Sequence, residues 1–383
     1  MIPYGRQDIT EDDIKEVEKV LRSDFLTQGP MVPKFEQSVS HYCGSSFSVG
    51  VNSATSALHI ACLALDLGPG DLLWTSPITF VASANCARYC GANVDFIDID
   101  PKTYNICPNL LSVKLAQAKK RGKIPKILAP VHFAGQPSDM EQIAELSKEY
   151  GFKIIEDASH AIGASYKKNK VGSCKYSDIT VFSFHPVKII TTAEGGMALT
   201  NSKELFEKMT RLRTHGITTD KAKMSLMPEH EIWNYQQIEL GFNYRMNDIQ
   251  AALGLNQMKR LDSYVQQRHK IANNYDNQLE KLLVITPYQL AETISSYHLY
   301  PILLKNYKVH KKIYEDLRAK KIGVNLHYIP VYRHPYYKNL GFKKLDFPEA
   351  EKFYSSAISL PIYPSLKEEQ QEYIIDILKK IIK

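Results

Sequence analysis

The sequence predicts an α/β fold in which a large, mostly parallel sheet is covered by helices and is followed by a smaller C-terminal α+β domain. Three observations carry this expectation. Short apolar runs at 72–75, 94–97, 127–133, 153–156 and 179–184 alternate with helix-like patterns, the order that builds a parallel sheet with its ligands at the carboxyl ends of the strands. The chain, at 383 residues, exceeds what one compact core usually holds. Its texture also changes near Leu261, where a long helical stretch at 246–275 leads into mixed strands and helices rich in tyrosine and basic residues. The expected division is a large domain at 1–260, including the N-terminal segment, and a small one at 261–383.

Taken in order, Thr10 and Asp13 form a capping-box start, and Ile14, Val17, Val20 and Leu21 fall on one helical face. The segment 24–30, DFLTQGP, is turn-rich and without period. A short strand at 47–51 runs into Asn52-Ser53-Ala54-Thr55-Ser56. A helix with Leu58, Ala61, Cys62 and Leu65 inward follows and stops at Gly68-Pro69-Gly70. The clearest later helix is 139–150, with Met140, Ile143, Leu146 and Tyr150 on one side, and an amphipathic helix starts near Lys367.

Composition excludes several classes. Hydrophobic residues at 44% and charged residues at 23% are those of a globular chain, not a disordered one. The net charge of +7 is spread along the chain, with short clusters at 119–123 and 379–383. Diffuse positive charge suits anionic small molecules, whereas a nucleic-acid reader concentrates it on one face. The six cysteines show no CxxC pair and no ligand spacing. Neither a signal peptide nor a membrane span is evident, so the expected setting is the reducing cytoplasm, without nucleic acid or membrane partners.

The chemistry centres on Val181–Thr200, VFSFHPVKIITTAEGGMALT. Here Lys188 stands among uncharged neighbours between two strand-like runs. A lysine so confined loses hydration and titrates low, and a neutral amine is what Schiff-base chemistry requires. Asp157 ends the run KIIEDASH at the carboxyl end of a buried strand. There a carboxylate could keep a pyridine nitrogen protonated and make the ring an electron sink. The SATS turn offers amides and hydroxyls at a helix N-terminus, an anion site for a phosphate, although serine and threonine start many helices simply as caps. Phe80 could stack on a ring, Ser183 could add a hydroxyl, His160 could donate to a ring oxygen, and Asn243 could reach a phosphate, including a neighbour's. Together these residues make sense around pyridoxal 5′-phosphate (PLP).

The segments SFHPVKIITTAEGG, EDASHAIGASY, VNSATSALH, FLTQGPMVPKFE, GFNYRMNDIQAALGLNQMKRLD, NLHYIPVY and ISLPIYPSL resemble the motifs of the DegT/DnrJ/EryC1/StrS family of sugar-nucleotide aminotransferases over nearly the whole chain. The resemblance implies a fold-type I PLP transferase acting as a homodimer with active sites at the subunit interface. It implies PLP held by Lys188, with contacts from Ala54, Thr55, Phe80, Asp157, His160 and Ser183, and from Asn243 across the interface. NSATSALH, Ser159-His160, TTAEGG and YHLYPILL are most similar to the branch that serves pseudaminic acid biosynthesis. That branch moves nitrogen from L-glutamate to C4 of a UDP-linked 4-keto-6-deoxy-N-acetylhexose. The same resemblance makes Tyr4, Asp24, Phe25, Leu26, Thr27, Asn325, Leu326, His327 and Tyr328 substrate contacts. His160 stands where much of the family has glutamine, and Pro186 resembles the wider family more than the pseudaminic branch.

In the expected reaction Lys188 serves as anchor, base and acid, being tethered within reach of both carbons between which the proton moves. Two other readings stay open. One is an enzyme of the same family that acts on another ketosugar or dehydrates it, the dehydratase carrying histidine where this chain has Lys188. The other is a non-enzymatic regulator or nucleic-acid binder, which leaves Lys188, Asp157 and the SATS turn unexplained.

Overall fold

The computed structural model describes residues 1–225 and 231–382. Seven strands form the main sheet: β1 (Phe47–Val51), β2 (Leu72–Thr75), β3 (Asn93–Phe96), β4 (Ile127–Ala129), β5 (Lys153–Asp157), β6 (Ile179–Ser183) and β7 (Gly196–Thr200). Their order across the sheet is β1-β7-β6-β5-β4-β2-β3. The pairs β2/β3, β2/β4, β4/β5 and β5/β6 are parallel, while β7 runs antiparallel to both of its neighbours. Only β7 therefore opposes the rest, and the carboxyl ends of β1, β2, β4, β5 and β6 share one edge. Strands β6 and β7 are buried along their whole length, as continuous apolar runs in a doubly covered sheet must be.

Helices α1 (Glu11–Leu21), α2 (Met31–Cys43), α3 (Ala54–Ala64), α4 (Ala82–Tyr89), α5 (Pro108–Lys120), α6 (Met140–Tyr150) and α7 (Lys203–Arg213) connect or flank these strands. The expected faces of α3 and α6 are present. Leu58, Ala61, Cys62 and Leu65 are buried in α3 and its cap, and Asp139 caps α6 through the Gln142 amide. The run expected as one helix at 246–275 is two, α8 (Asp248–Met258) and α9 (Leu261–Leu279). The break falls at Lys259-Arg260, where Arg260 turns toward α1. A second, antiparallel sheet joins β8 (Val284–Ile285), β9 (Tyr300–Leu304) and β10 (Ala357–Leu360). It packs with α9, α10 (His310–Ala319) and a C-terminal helix at Glu368–Ile381 around Tyr275, Tyr300, Ile302, Ile358 and Ile374. The chain crosses between the two bodies at both ends: Ile2 pairs with Ile322 beside the small sheet, while Val331, Tyr332, Phe347 and Phe353 fill the core of the large one.

Helix α1 departs from its expected face. Val20 is buried, but Ile14 is 51% and Leu21 57% exposed, and the fully buried side chain is Asp13. The capping box explains the position. Thr10 accepts from the Asp13 amide at 3.4 Å, and the Asp13 carboxylate accepts from the Thr10 N–H at 2.9 Å. That carboxylate also accepts from Arg260 Nη2 at 2.5 Å, Asn256 Nδ2 at 2.8 Å and Gln257 Nε2 at 3.0 Å. Burial alone would raise the Asp13 carboxyl, but the Arg260 guanidinium, the Thr10 amide and Asn256 outweigh it and hold it below the usual carboxylate range.

Asp13→Ala strands a partly buried guanidinium and removes the link between α1 and α8–α9, so a stability loss of about 3 kcal/mol is expected in urea denaturation. Because the folded state lowers this pKa, the contribution is present above the unfolded value near 4 and is lost as pH falls through the folded one. The difference between wild type and variant therefore narrows in acid, and a difference that stays constant from pH 7 to 3 would contradict the assignment.

Candidate active site

The carboxyl edge of the sheet opens into a cavity of about 560 Å³. Strand β1 delivers Ser53, Ala54 and Thr55 to it at the start of α3. The turn after β2 delivers Thr79, Phe80 and Ser83, β5 delivers Asp157 with Ser159 and His160 just beyond, and β6 delivers Ser183 and then His185 and Lys188. Glu194, beyond the lysine, also lines it, and the wall from distant sequence comes from Tyr4, His298, Asn325, Leu326, His327 and Tyr328. A cavity at this edge of a parallel sheet is where such folds bind ligands.

Lys188 and Asp157 face the same cavity. The lysine as a residue is half-buried because the cavity is open, yet its amine lies deep enough for burial to lower its pKa to about 8, with the Asp157 carboxylate pulling the other way. The loop that carries it is pinned at its neck. Phe184 N–H donates to the Gly195 carbonyl at 2.9 Å, Thr192 N–H to the Phe184 carbonyl at 3.0 Å, and Thr191 Oγ1 to that same carbonyl at 2.9 Å. The two buried threonines thus close a loop that would otherwise expose its backbone to the core. Gly196 is required for a separate reason: a Cβ there would lie 2.5 Å from both the Ala54 nitrogen and the Ser53 carbonyl carbon. Its absence lets β7 pass directly under the start of α3.

Asp157 is held from both oxygens. Ser83 Oγ donates to Oδ2 at 2.5 Å and the Ser159 N–H to Oδ1 at 3.1 Å. Its backbone sits in the sheet, accepting from the His132 N–H at 3.0 Å and donating to the Pro130 carbonyl at 2.9 Å. Ser53 caps α3 through the Ser56 N–H at 3.1 Å, as its residue type leads one to expect. The cap leaves the first amides of α3, at Ala54 and Thr55, without intrahelical partners at the cavity, so capping and anion binding coexist in one turn.

The His160 ring has an assigned direction. Nδ1 accepts from the Ala134 N–H at 3.3 Å, so Nε2 carries the proton that meets the Tyr328 hydroxyl at 3.0 Å. Burial, then Lys188 and His327, push its pKa well below the usual histidine value. His327 is lowered to about 3, by burial and then by Lys188. Both rings are therefore neutral at pH 7, which leaves Lys188 facing two carboxylate side chains on the cavity, Asp157 and Glu194. Tyr4 reaches the cavity because the N-terminal segment is stitched to the small sheet. The Gly323 N–H donates to the Ile2 carbonyl at 2.6 Å, the Ile362 N–H donates to the Tyr4 carbonyl at 3.1 Å, and the Tyr4 ring lies 5.1 Å from that of His327. Phe80, 59% exposed, stands open on the wall 6.2 Å from the Tyr328 ring.

Of the residues singled out from sequence, Asp24, Phe25, Leu26, Thr27 and Asn243 do not line this cavity and lie exposed elsewhere on the chain. Conversely, Ser83, His185 and His298 line it and were not identified individually. Ser83 carries a readable signal, falling one turn after Phe80 at the start of a helix. His298 sits within YHLYPILL, which sequence marks only as a segment. No group of acidic, histidine or cysteine residues among those described could hold a metal ion, and no helix among them is long and apolar enough to cross a membrane.

Fold and site together define a group-transfer enzyme built around an amine and a carboxylate that share one cavity. The chain belongs to the DegT/DnrJ/EryC1/StrS aminotransferase family, whose model matches residues 7–379; the family's members are PLP-dependent sugar aminotransferases. It is 38% identical to a UDP-4-amino-4,6-dideoxy-N-acetyl-beta-L-altrosamine transaminase of Campylobacter jejuni, an alignment that spans 100% of this chain and 98% of that protein. It is 37% identical to the spore coat polysaccharide biosynthesis protein SpsC of Bacillus subtilis, over 100% and 97% of the two chains. Among solved structures it is similar to Helicobacter pylori PseC, an aminotransferase involved in pseudoaminic acid biosynthesis. That match has a TM-score of 0.90 at 33% identity and covers 99% of this chain and 98% of the other.

With the Lys188 pKa near 8, the neutral amine fraction below that value rises about tenfold for each unit by which pH increases. Capture of added PLP by cofactor-free protein, followed by its absorbance, is expected to speed up with pH and level off above about 8. In Asp157→Asn the charge that raises the amine pKa is gone, so the midpoint shifts lower. A midpoint that rises or stays fixed would contradict the coupling.

Proposed function

We propose that this chain is a PLP-dependent aminotransferase that moves nitrogen from L-glutamate to the C4 ketone of a UDP-linked 4-keto-6-deoxy-N-acetylhexose. On this reading it works in the cytoplasm as a homodimer whose active sites are shared between subunits. The observation that carries the reading is the placement of Lys188 and Asp157 on one cavity, with the bare N-terminal amides of α3 on the same wall.

The residues fit the cofactor. Lys188 Nζ would hold PLP, and Asp157 would face its ring nitrogen. The amides of Ala54 and Thr55, with the Ser183 hydroxyl, would receive its phosphate, Phe80 and His160 would bracket its ring and ring oxygen, and Asn243 would come from the second subunit. When bound, PLP supplies an electron sink for the carbanion that forms at an amino-acid α-carbon. The protein supplies the rest. Lys188, uncharged for a usable fraction of the time at pH 7, takes the proton from the substrate carbon and returns it one carbon away, because its tether reaches both. The Ser83 hydroxyl and Ser159 amide keep the Asp157 carboxylate aimed at the place of the ring nitrogen. The neutral His160 keeps its Nε2 proton on the Tyr328 side, where a ring oxygen could share it, and adds no positive charge that would push the amine pKa lower still or compete with it for Asp157.

Tyr4, Asn325, Leu326, His327 and Tyr328 form the wall of the cavity that the sugar nucleotide would meet, and Asp24, Phe25, Leu26 and Thr27 would reach it from the second subunit. The division into a PLP-binding domain at 1–260 and a small domain at 261–383 belongs to the same reading, Lys383 lying outside the described residues. Similarity to the altrosamine transaminase and to PseC supports this sugar. The nearly equal identity to SpsC favours a second reading, an aminotransferase for a different nucleotide-linked ketosugar.

The test is turnover with glutamate and a panel of UDP-, dTDP- and GDP-linked ketosugars. The proposal expects an amino sugar with nitrogen at C4 and one 2-oxoglutarate for each turnover, with preference for the UDP-linked 4-keto-6-deoxy-N-acetylhexose. Lys188→Ala is expected to lose the cofactor absorbance and at least about 10³-fold in rate. Full turnover by that variant would sink the mechanism, a preference for another sugar would select the second reading, and a keto-deoxy product without nitrogen would indicate dehydration.

A further inference from the structure

The turn between α1 and α2 holds four residues that the reading above places at the substrate, Asp24 to Thr27, and none of them lines the chain's own cavity. The turn is nevertheless fixed. Asp248, the first residue of α8 and fully buried, accepts from the Gly29 N–H at 2.9 Å and the Met31 N–H at 2.7 Å, and its own N–H donates to the Leu26 carbonyl at 3.0 Å. No ion pair to this carboxylate occurs among the described residues. A buried carboxylate without a cation has to be satisfied by other donors, and here one amide comes from the turn and the other from the first residue of α2 that closes it. There is no slack. A Cβ at Gly29 would lie 2.5 Å from Phe25 Cβ and 2.8 Å from Asp248 Oδ1, and Gln28 takes a left-handed φ of 56°. Ser23 closes the other end, its Oγ donating to the Val20 carbonyl at 2.8 Å.

This rigidity is applied to side chains that gain nothing from it within the subunit. Phe25 is 54% and Leu26 48% exposed, and Ile14 and Leu21 on the preceding helix α1 are exposed as well. Asn243, also exposed and also absent from the home cavity, lies five residues before Asp248 in the chain. Ordered apolar side chains held out to solvent are what a shared site needs, since their ordering entropy is then not lost again on binding.

We propose that Asp248 is a positioning residue for the sugar nucleotide: through the Gly29 and Met31 amides it sets the shape in which Asp24 to Thr27 meet substrate at the cavity of a second copy of this chain. The proposal rests on the homodimeric aminotransferase reading. Glutamate, the smaller substrate, reacts at the Lys188 end and does not depend on the turn.

Asp248→Asn tests it in the full-length, PLP-loaded enzyme. The asparagine keeps one oxygen and turns an NH₂ group toward an amide N–H, which unseats one end of the turn. The expected result is a KM for the UDP-linked ketosugar raised about tenfold, the scale of one charged-acceptor hydrogen bond. Bleaching of the bound cofactor by glutamate alone should stay within about twofold of wild type. Gly29→Ala, which leaves Asp248 in place and serves where Asp248→Asn fails to fold, should shift the same KM. Phe25→Ala should raise it too, and its effect should not add to that of Asp248→Asn. Equal losses in both half-reactions would mean a merely structural role and overturn the proposal. An unaltered ketosugar KM in both variants, with wild-type turnover intact, would overturn the clamp alone. A wild-type enzyme that bleaches with glutamate yet aminates no ketosugar would overturn the functional reading and the clamp with it.

Discussion

One amine governs the rest. Lys188 is held where water cannot fully solvate it, so its pKa drops to about 8, and the carboxylate of Asp157 on the same cavity keeps it from falling further. Burial favours the neutral nucleophile and the nearby negative charge favours the cation. The balance leaves both forms populated near neutrality, as the proton transfers proposed for this residue require. His160 and His327, on the same cavity, are neutral because burial and then the lysine itself push their pKa values down. A charged imidazole there would tilt the balance.

The sheet places these groups without special devices. Five strands end on one edge; the segments that leave β1, β2, β5 and β6 each bring three or more side chains to the cavity, and the one that leaves β4 brings Val131. Only β7 runs in reverse, and it brings back the glycine whose missing side chain lets the start of α3 come close. The lysine loop, the α3 turn and Asp157 are thus locked to β6, β1 and β5, elements buried on both faces, while the part of the cavity expected to read the sugar comes from the N-terminal segment and residues 325–328.

Much of this was legible in the sequence, for reasons that can be stated. Apolar runs bounded by turn residues located the strands to within a few residues, because a buried parallel strand has to be apolar throughout. Lys188 stood out by isolation and Asp157 by its place at a strand end. Pattern failed where polar side chains took over packing. Asp13 is buried in place of Ile14, since four donors satisfy it, and the 246–275 run breaks at Arg260 because that arginine is drawn to Asp13. Ser83 and His298 escaped notice because each acts through a neighbour, one on Asp157 and the other against the His160 ring, 4.3 Å away. Asp24 to Thr27 and Asn243 came from resemblance alone, and a single subunit gives them no cavity to line.

The central claim concerns one covalent bond, and it can be tested without any sugar. Protein purified with added PLP, reduced with borohydride, digested and mapped by mass spectrometry should carry one phosphopyridoxyl group, on the peptide that contains Lys188. An adduct on another lysine, or none while Lys188 stays free, would contradict the account.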